Sequence, residues 1–161
     1  MRIHLATDHA GLEFSQDLQK YLTDGGHEVI DHGPTTFDPD DDYPSFCINA
    51  AKAAVVDQAA GIDALAVVFG GSGNGEQIAA NKVLGARAAL VWNTSTAELA
   101  REHNDANVIS IGARQHTFDE VKSFIDVFIA TTFTHAERHA RRIAQLAEYE
   151  TTGRIAGHQV D

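Results

Sequence analysis

One carboxylate, Glu76, directly follows a loop in which four of six residues are glycine: Gly70, Gly71, Ser72, Gly73, Asn74 and Gly75. Glycine reaches φ values closed to other residues and lets backbone N–H groups come close to a ligand, so the loop reads as a cradle for an oxyanion or a phosphate. An acid within such a cradle suits chemistry in which a proton leaves carbon while negative charge grows on the adjacent oxygen. Glu76 would take the proton, and Ser72 with the loop N–H groups would hold the charge. Alternatively, Glu76 only complements the dipole of the helix that follows.

Two nucleotide-binding readings fail on the same residues. Gly70 and Gly75 have the spacing of a phosphate-binding P-loop, but Glu76 stands where a lysine must meet the phosphates and would repel them. Gly71 and Gly73 supply the first pair of a dinucleotide fingerprint, yet Glu76 occupies its third glycine position.

The elements around the loop predict its placement. Leu65 to Phe69 is a short unbroken apolar run, as expected of a strand buried on both faces of a parallel sheet, and helix formers follow Glu76. Arg2 to Thr7 reads as a first strand, Leu12 to Leu22 as a helix, and His27 to His32 as a second strand. A loop over 33–44 carries Asp38, Asp40, Asp41 and Asp42, without the turn glycine and terminal glutamate of a calcium loop, and reads as solvated. Ser45 to Val56 reads as a helix, Ala86 to Val91 as a strand, Thr94 to Glu102 as a helix, Val108 to Ile111 as a strand and Thr117 to Thr131 as a helix. A final helix is expected from about His135 to Glu150. Strict alternation with right-handed crossovers predicts a three-layer α/β/α sandwich of Rossmann type, with a five-stranded parallel sheet and an extra C-terminal helix. Residues 1–150 read as one domain and 151–161 as a flexible tail.

In such a sheet ligands bind past the carboxyl ends of the strands, where Asp8 and His9, the Gly70 loop and Arg114 all fall. Asp8 is a crevice residue or a helix cap; His9 is an anion ligand or a surface residue. Tyr43, at the end of the long loop, closes over a ligand or packs. His103 ends a helix, where the dipole favours imidazolium, and is otherwise a candidate general acid. Arg138 and Arg142 share a helix face and can grip a phosphate as a fork or pair with nearby glutamates. Six of the eight arginines lie after residue 100, so positive charge is segregated toward the last helix, which is free to reach a second subunit.

The chain has 161 residues, 43% of them hydrophobic, and a net charge of −11, which argues against nucleic acid as a partner. It opens with no signal peptide and holds no apolar run of membrane-spanning length, so a cytoplasmic location is expected. Cys47 is the sole cysteine, which excludes an internal disulfide and a multi-thiolate metal site.

Taken in order, Asp8-His9-Ala10-Gly11, Asp42-Tyr43-Pro44, GGSGNGEQIAANK, Glu102 to Asn107, and Arg138-His139 with Arg142 resemble the type B ribose-5-phosphate isomerase family, which includes galactose-6-phosphate isomerase subunits. The resemblance spans about residues 1–150. It implies an aldose–ketose isomerase that moves a proton between C1 and C2 of ribose 5-phosphate and ribulose 5-phosphate through a cis-enediolate. It makes Glu76 the base and Ser72, with the N–H groups of Gly71, Gly73, Asn74 and Gly75, the anion hole. Asp8 and His103 open the ring, while Tyr43 and Asn104 contact sugar hydroxyls. His9, Arg114, Arg138 and Arg142 hold the phosphate, with His103 and the last two arginines coming from the partner in a homodimer or a dimer of dimers. No metal or organic cofactor is implied. Another branch of the family uses a cysteine thiolate at the position of Gly70; here that position has no side chain and Cys47 lies in a different helix. A helix N-terminus is expected to depress the Glu76 pKa, to be offset by closure around substrate. Isomerases of allose 6-, erythrulose 4- or galactose 6-phosphate, and a non-catalytic sugar-phosphate sensor, stay open as alternatives.

Overall fold

Residue type decides which face of the sheet each helix covers. In the computed structural model, which describes residues 1–160, strand β3 (Ala64–Gly70) is buried along its whole length. Its side chains alternate between two cores. Leu65, Val67 and Phe69 join a cluster with Ile3, Leu5, Leu18, Leu22, Ile109, Phe124 and Phe128, whereas Ala66 and Val68 join one built largely of Ala50, Ala51, Ala54, Ala79 and Ala80. Large side chains therefore fill one face, and a layer of alanines lets helices lie close on the other.

Strands β1 (Arg2–Ala6), β2 (Glu28–Asp31), β3, β4 (Ala88–Val91) and β5 (Val108–Gly112) form one parallel sheet in the order β2-β1-β3-β5-β4. Helices α1 (Leu12–Asp24), α4 (Thr94–Asn104) and α5 (Phe118–Ala130) cover the large-residue face; α2 (Tyr43–Ala59) and α3 (Asn74–Ala80) cover the alanine face. This is the expected three-layer sandwich. A sixth helix, α6 (Glu137–Thr152), packs outside it against α4, and only His139 of α6 is buried. Beyond α6 the chain turns at Gly153 and folds back, with the Ala156 N–H donating to Glu148 at 3.0 Å.

Local chemistry fixes the ends. Thr117 and Glu120 form a capping box at the start of α5, and Asn93 and Thr96 form one at α4. Most boundaries shift by one to three residues from expectation, and two of the shifts have a clear local cause. Helix α2 begins at Tyr43, because Pro44 sits in the first turn where its missing N–H costs nothing. Strand β4 begins at Ala88, because Ala86 is still held in a turn through its N–H to Val83 O at 2.9 Å.

The sheet order explains the site. β1 and β3 are neighbours, yet β1 leads into α1 on one face and β3 into α3 on the other, which opens a crevice between their carboxyl ends. β5 pairs with β3 to the last residue, Gly70 against Gly112, so the segment after β5 ends at the same crevice.

Candidate active site

Register and loop bonds bring three segments together past the strand ends. The Ala113 and Arg114 N–H groups donate to Gly70 O and Gly71 O at 2.8 and 3.2 Å, tying the segment after β5 to the glycine loop. Gly73, at φ +78°, is buried against Leu90, Ile111 and Gly112, and the Ser110 hydroxyl donates to its carbonyl at 2.7 Å. Only glycine meets both demands there, a left-handed φ and no room for a Cβ. Among the described residues the N–H groups of Gly71, Ser72 and Gly73 donate to no backbone carbonyl, which leaves them available to an anion.

A cleft of about 550 Å³ is lined by Asp8, His9, Tyr43, Gly71, Ser72, Gly75, Glu76, Arg114 and Gln115. Glu76 is 4% exposed. Its carboxyl group fills the space that a Cβ on Gly70 would need, so the absent side chain at position 70 is what lets the acid lie there. Burial raises the Glu76 pKa, its own backbone N–H acts in the opposite direction, and the nearby Asp8 charge raises it further. This corrects the expectation of a depressed value: desolvation outweighs the helix terminus. Burial, with Glu76 and Asp8 close by, pushes the Cys47 thiol far up, so it is inert.

Asp8 is both a cap and a lining residue. Its Oδ1 accepts from the Ala10 and Gly11 N–H groups at 2.8 and 3.3 Å, while the residue faces the cleft. The Tyr43 hydroxyl lies 2.5 Å from where a Cβ on Gly75 would stand, so the first turn of α2 packs on the glycine loop. The Arg114 guanidinium lies over Gly71 in the same way, 3.4 Å from the corresponding point. His9 Nδ1 is 2.8 Å from Asp41 Oδ1, and its ring meets Phe37 edge-on at 5.9 Å. Asp41 is therefore not a solvated loop residue: its side chain is 7% exposed.

The other expected site residues lie elsewhere on the chain. His103, Asn104, Arg138 and Arg142 do not line the cleft, nor do Gly73 and Asn74. The His103 ring lies tilted at 43° against that of His139 with centroids 4.2 Å apart, and Arg138 Nε donates to His139 Nε2 at 3.0 Å. With Nε2 accepting, His139 Nδ1–H points to Thr134 Oγ1 at 3.1 Å, and Thr134 in turn donates to Glu102 O at 2.9 Å. Burial depresses the His139 pKa, and the facing His103, Arg138 and Arg142 depress it further. Two other residues of the quoted motif are structural. Asp105 pairs with Arg101 at 2.9 Å, and Asn107 accepts from the Arg87 N–H at 2.8 Å.

Sequence reasoning missed three residues. Gln115 carries no signal, Asp41 is hidden in a run of aspartates, and His139 gained no role because its partners come from three segments. No group of three or more His, Cys, Asp or Glu side chains able to hold a metal ion occurs among the described residues.

Fold and cleft together define an open α/β protein that sets a buried acid beside a glycine-rich loop at the crevice between β1 and β3. The chain belongs to the ribose/galactose isomerase family, whose model matches residues 3–146. It is 54% identical over 152 residues to "Ribose-5-phosphate isomerase B" of Mycolicibacterium paratuberculosis, covering 94% of this chain and 93% of that protein. It is 38% identical to the probable ribose-5-phosphate isomerase B of Mycoplasma pneumoniae, covering 92% and 94%. The crystal structure of ribose-5-phosphate isomerase B from Mycoplasma genitalium with bound ribulose-5-phosphate matches with a TM-score of 0.87 at 36% identity, covering 94% and 97% of the two chains.

Proposed function

We propose that the chain interconverts ribose 5-phosphate and ribulose 5-phosphate, with Glu76 moving a proton between C1 and C2 through a cis-enediolate. The observation that carries this reading is the buried Glu76 carboxyl in a cleft edged by unbonded loop N–H groups, in a chain 54% identical to a ribose-5-phosphate isomerase B. Abstraction of a proton next to a carbonyl sends charge to that oxygen, and in this proposal its stabilisation falls to Ser72 with the Gly71 to Gly75 backbone. The raised pKa makes the Glu76 carboxylate a stronger base than an exposed one. Asp8 and His103 open the ring by carrying protons to and from the ring oxygen and the C1 hydroxyl. Tyr43 and Asn104 hold sugar hydroxyls, and His9, Arg114, Arg138 and Arg142 hold the phosphate. Each step is a proton transfer, which requires neither an electron carrier nor a metal.

Asp8, His9, Tyr43, Ser72, Glu76 and Arg114 share one chain's cleft, but His103, Asn104, Arg138 and Arg142 do not. We assign the latter group to the site of a second copy, within a homodimer or a dimer of such dimers. The position of α6 outside the sandwich, with Leu146 and Tyr149 exposed, supports this. Residues 1–150 then act as one catalytic domain, with the segment from 151 onward outside the chemistry. Among the described residues no helix is long and apolar enough to cross a membrane, and we place the enzyme in the cytoplasm.

Isomerisation of ribose 5-phosphate by the purified chain, compared with allose, erythrulose and galactose phosphates, tests the reading. The ribose compound is expected to give the highest kcat/KM. Binding of all four without turnover would indicate a sensor instead.

A further inference from the structure

The loop from Gly33 to Asp42 turns back over the carboxyl end of β1. Thr7 N–H donates to Gly33 O at 3.0 Å, and Asp41 N–H donates to Asp38 O at 3.2 Å. This places the Asp41 side chain, 7% exposed, against His9. Asp41 Oδ1 accepts twice from that residue, from the backbone N–H at 3.2 Å and from ring Nδ1 at 2.8 Å. The second oxygen, Oδ2, is buried without a partner. A carboxylate withdrawn from water and bonded to a single residue is costly unless it does something for that residue. Here it fixes the ring. Nδ1 carries the hydrogen, and Nε2, which takes no hydrogen bond among the described residues, is the atom left for a ligand. His9 and Arg114 line both the cleft around Glu76 and an adjoining one of about 640 Å³, so the fixed ring stands at the junction of the two.

We propose that Asp41 is a positioning residue for phosphate recognition: by accepting from Nδ1–H it orients the His9 ring so that Nε2 faces a phosphate oxygen of the substrate and, once it carries its own hydrogen, donates to it. When the ring is protonated, Nε2–H donates to that oxygen and the Asp41 charge balances the imidazolium. Asp41 itself does not touch the substrate. The inference rests on His9 being a phosphate ligand, and its test separates the two claims.

The tautomer is read on the unmodified enzyme without substrate, from the ring nitrogen shifts of ¹⁵N-labelled protein at alkaline pH, with His9 assigned through its loss in His9→Asn. An Nδ1–H ring is expected; an Nε2–H ring overturns the proposal. The kinetic arm uses inorganic phosphate as a competitive inhibitor of ribose 5-phosphate turnover. Asp41→Asn is expected to raise the phosphate Ki and the sugar KM about tenfold with kcat within about threefold, the scale of one charged hydrogen bond. In a His9→Asn background the same change is expected to alter Ki by less than about twofold, because the two residues act as a unit. Equal losses in both backgrounds, or a fall in kcat at unchanged KM, overturn the proposal. If His9→Asn itself leaves Ki and KM unchanged, the phosphate role of His9 fails instead, whatever the tautomer.

Discussion

Gly70→Ala adds one methyl group at a position where the nearest neighbour is the Glu76 carboxyl group. Gly70 is not among the glycines with positive φ, so alanine is allowed by the backbone, and the residue ends a fully buried strand whose ladder bonds do not involve a side chain. The three nearest atoms to the added Cβ all belong to the Glu76 carboxyl group, and all lie far inside the 3.4 Å of ordinary contact. The carboxyl must withdraw by about 1 Å or more, and a misplacement of that size around a reacting centre costs roughly 10²-fold. A complete loss of the general base costs about 10²–10⁴-fold. Gly70→Ala is therefore expected to lower kcat by about 10²–10³-fold, near 3–4 kcal/mol of barrier. KM for ribose 5-phosphate should stay within about threefold, because no proposed phosphate ligand is among the three atoms nearest the added Cβ. Steady-state ribulose 5-phosphate formation measures both constants, and the decisive comparison is the double variant. In a Glu76→Gln background Gly70→Ala should have little further effect on kcat, since the group it displaces no longer acts as a base. A Gly70→Ala enzyme above one-tenth of normal kcat, or another hundredfold loss in the double variant, would refute the reasoning.

Glu76→Gln is expected to stabilise the fold at neutral pH while lowering kcat by about 10²–10⁴-fold. The folded-state pKa of Glu76 is raised, so the native protein holds this proton while the unfolded chain releases it, and stability falls as pH rises through the window above the ordinary glutamate value. A melting scan should show the variant about 3 °C more stable at pH 7.5, with the gain vanishing near pH 4; a constant gain, or none, contradicts the burial argument. The same shift places the acidic limb of kcat/KM above the range of an exposed glutamate, measurable as a pH–rate profile. Mixing inactive Glu76→Gln with inactive Arg138→Ala, followed by subunit exchange, should restore about a quarter of normal activity, because half the dimers are mixed and each holds one intact site. Zero recovery would place Arg138 in its own chain's site. Tyr43→Phe removes one hydroxyl contact and should raise KM about threefold to tenfold at nearly constant kcat.

Most of the sheet was legible because burial on both faces leaves uninterrupted apolar runs such as Leu65 to Phe69, and because four loop glycines mark the turn after it. Asp8, His9, Glu76 and Arg114 were found together for a topological reason: each follows a strand end at a place where open α/β sheets bind ligands. What escaped depends on packing. The Glu76 pKa direction turns on desolvation, which a helix-terminus argument does not see. Tyr43 belongs to the first turn of α2 because Pro44 can start a helix, a cue that the aspartate-rich loop obscured. Asp41 differs from Asp38, Asp40 and Asp42 only in where the loop folds, and no residue pattern distinguishes the buried carboxylate from its exposed neighbours.

The central claim is that a carbon-bound proton passes through Glu76. Ribose 5-phosphate deuterated at C2, followed by NMR in ordinary water, addresses it directly, with phosphate inhibition as a control for binding. The account predicts release of the C2 label to solvent by the unmodified enzyme, and no release by Glu76→Gln despite an unchanged phosphate Ki. Transfer of the label intact to C1 of ribulose 5-phosphate, or release by Glu76→Gln at the normal rate, would contradict it.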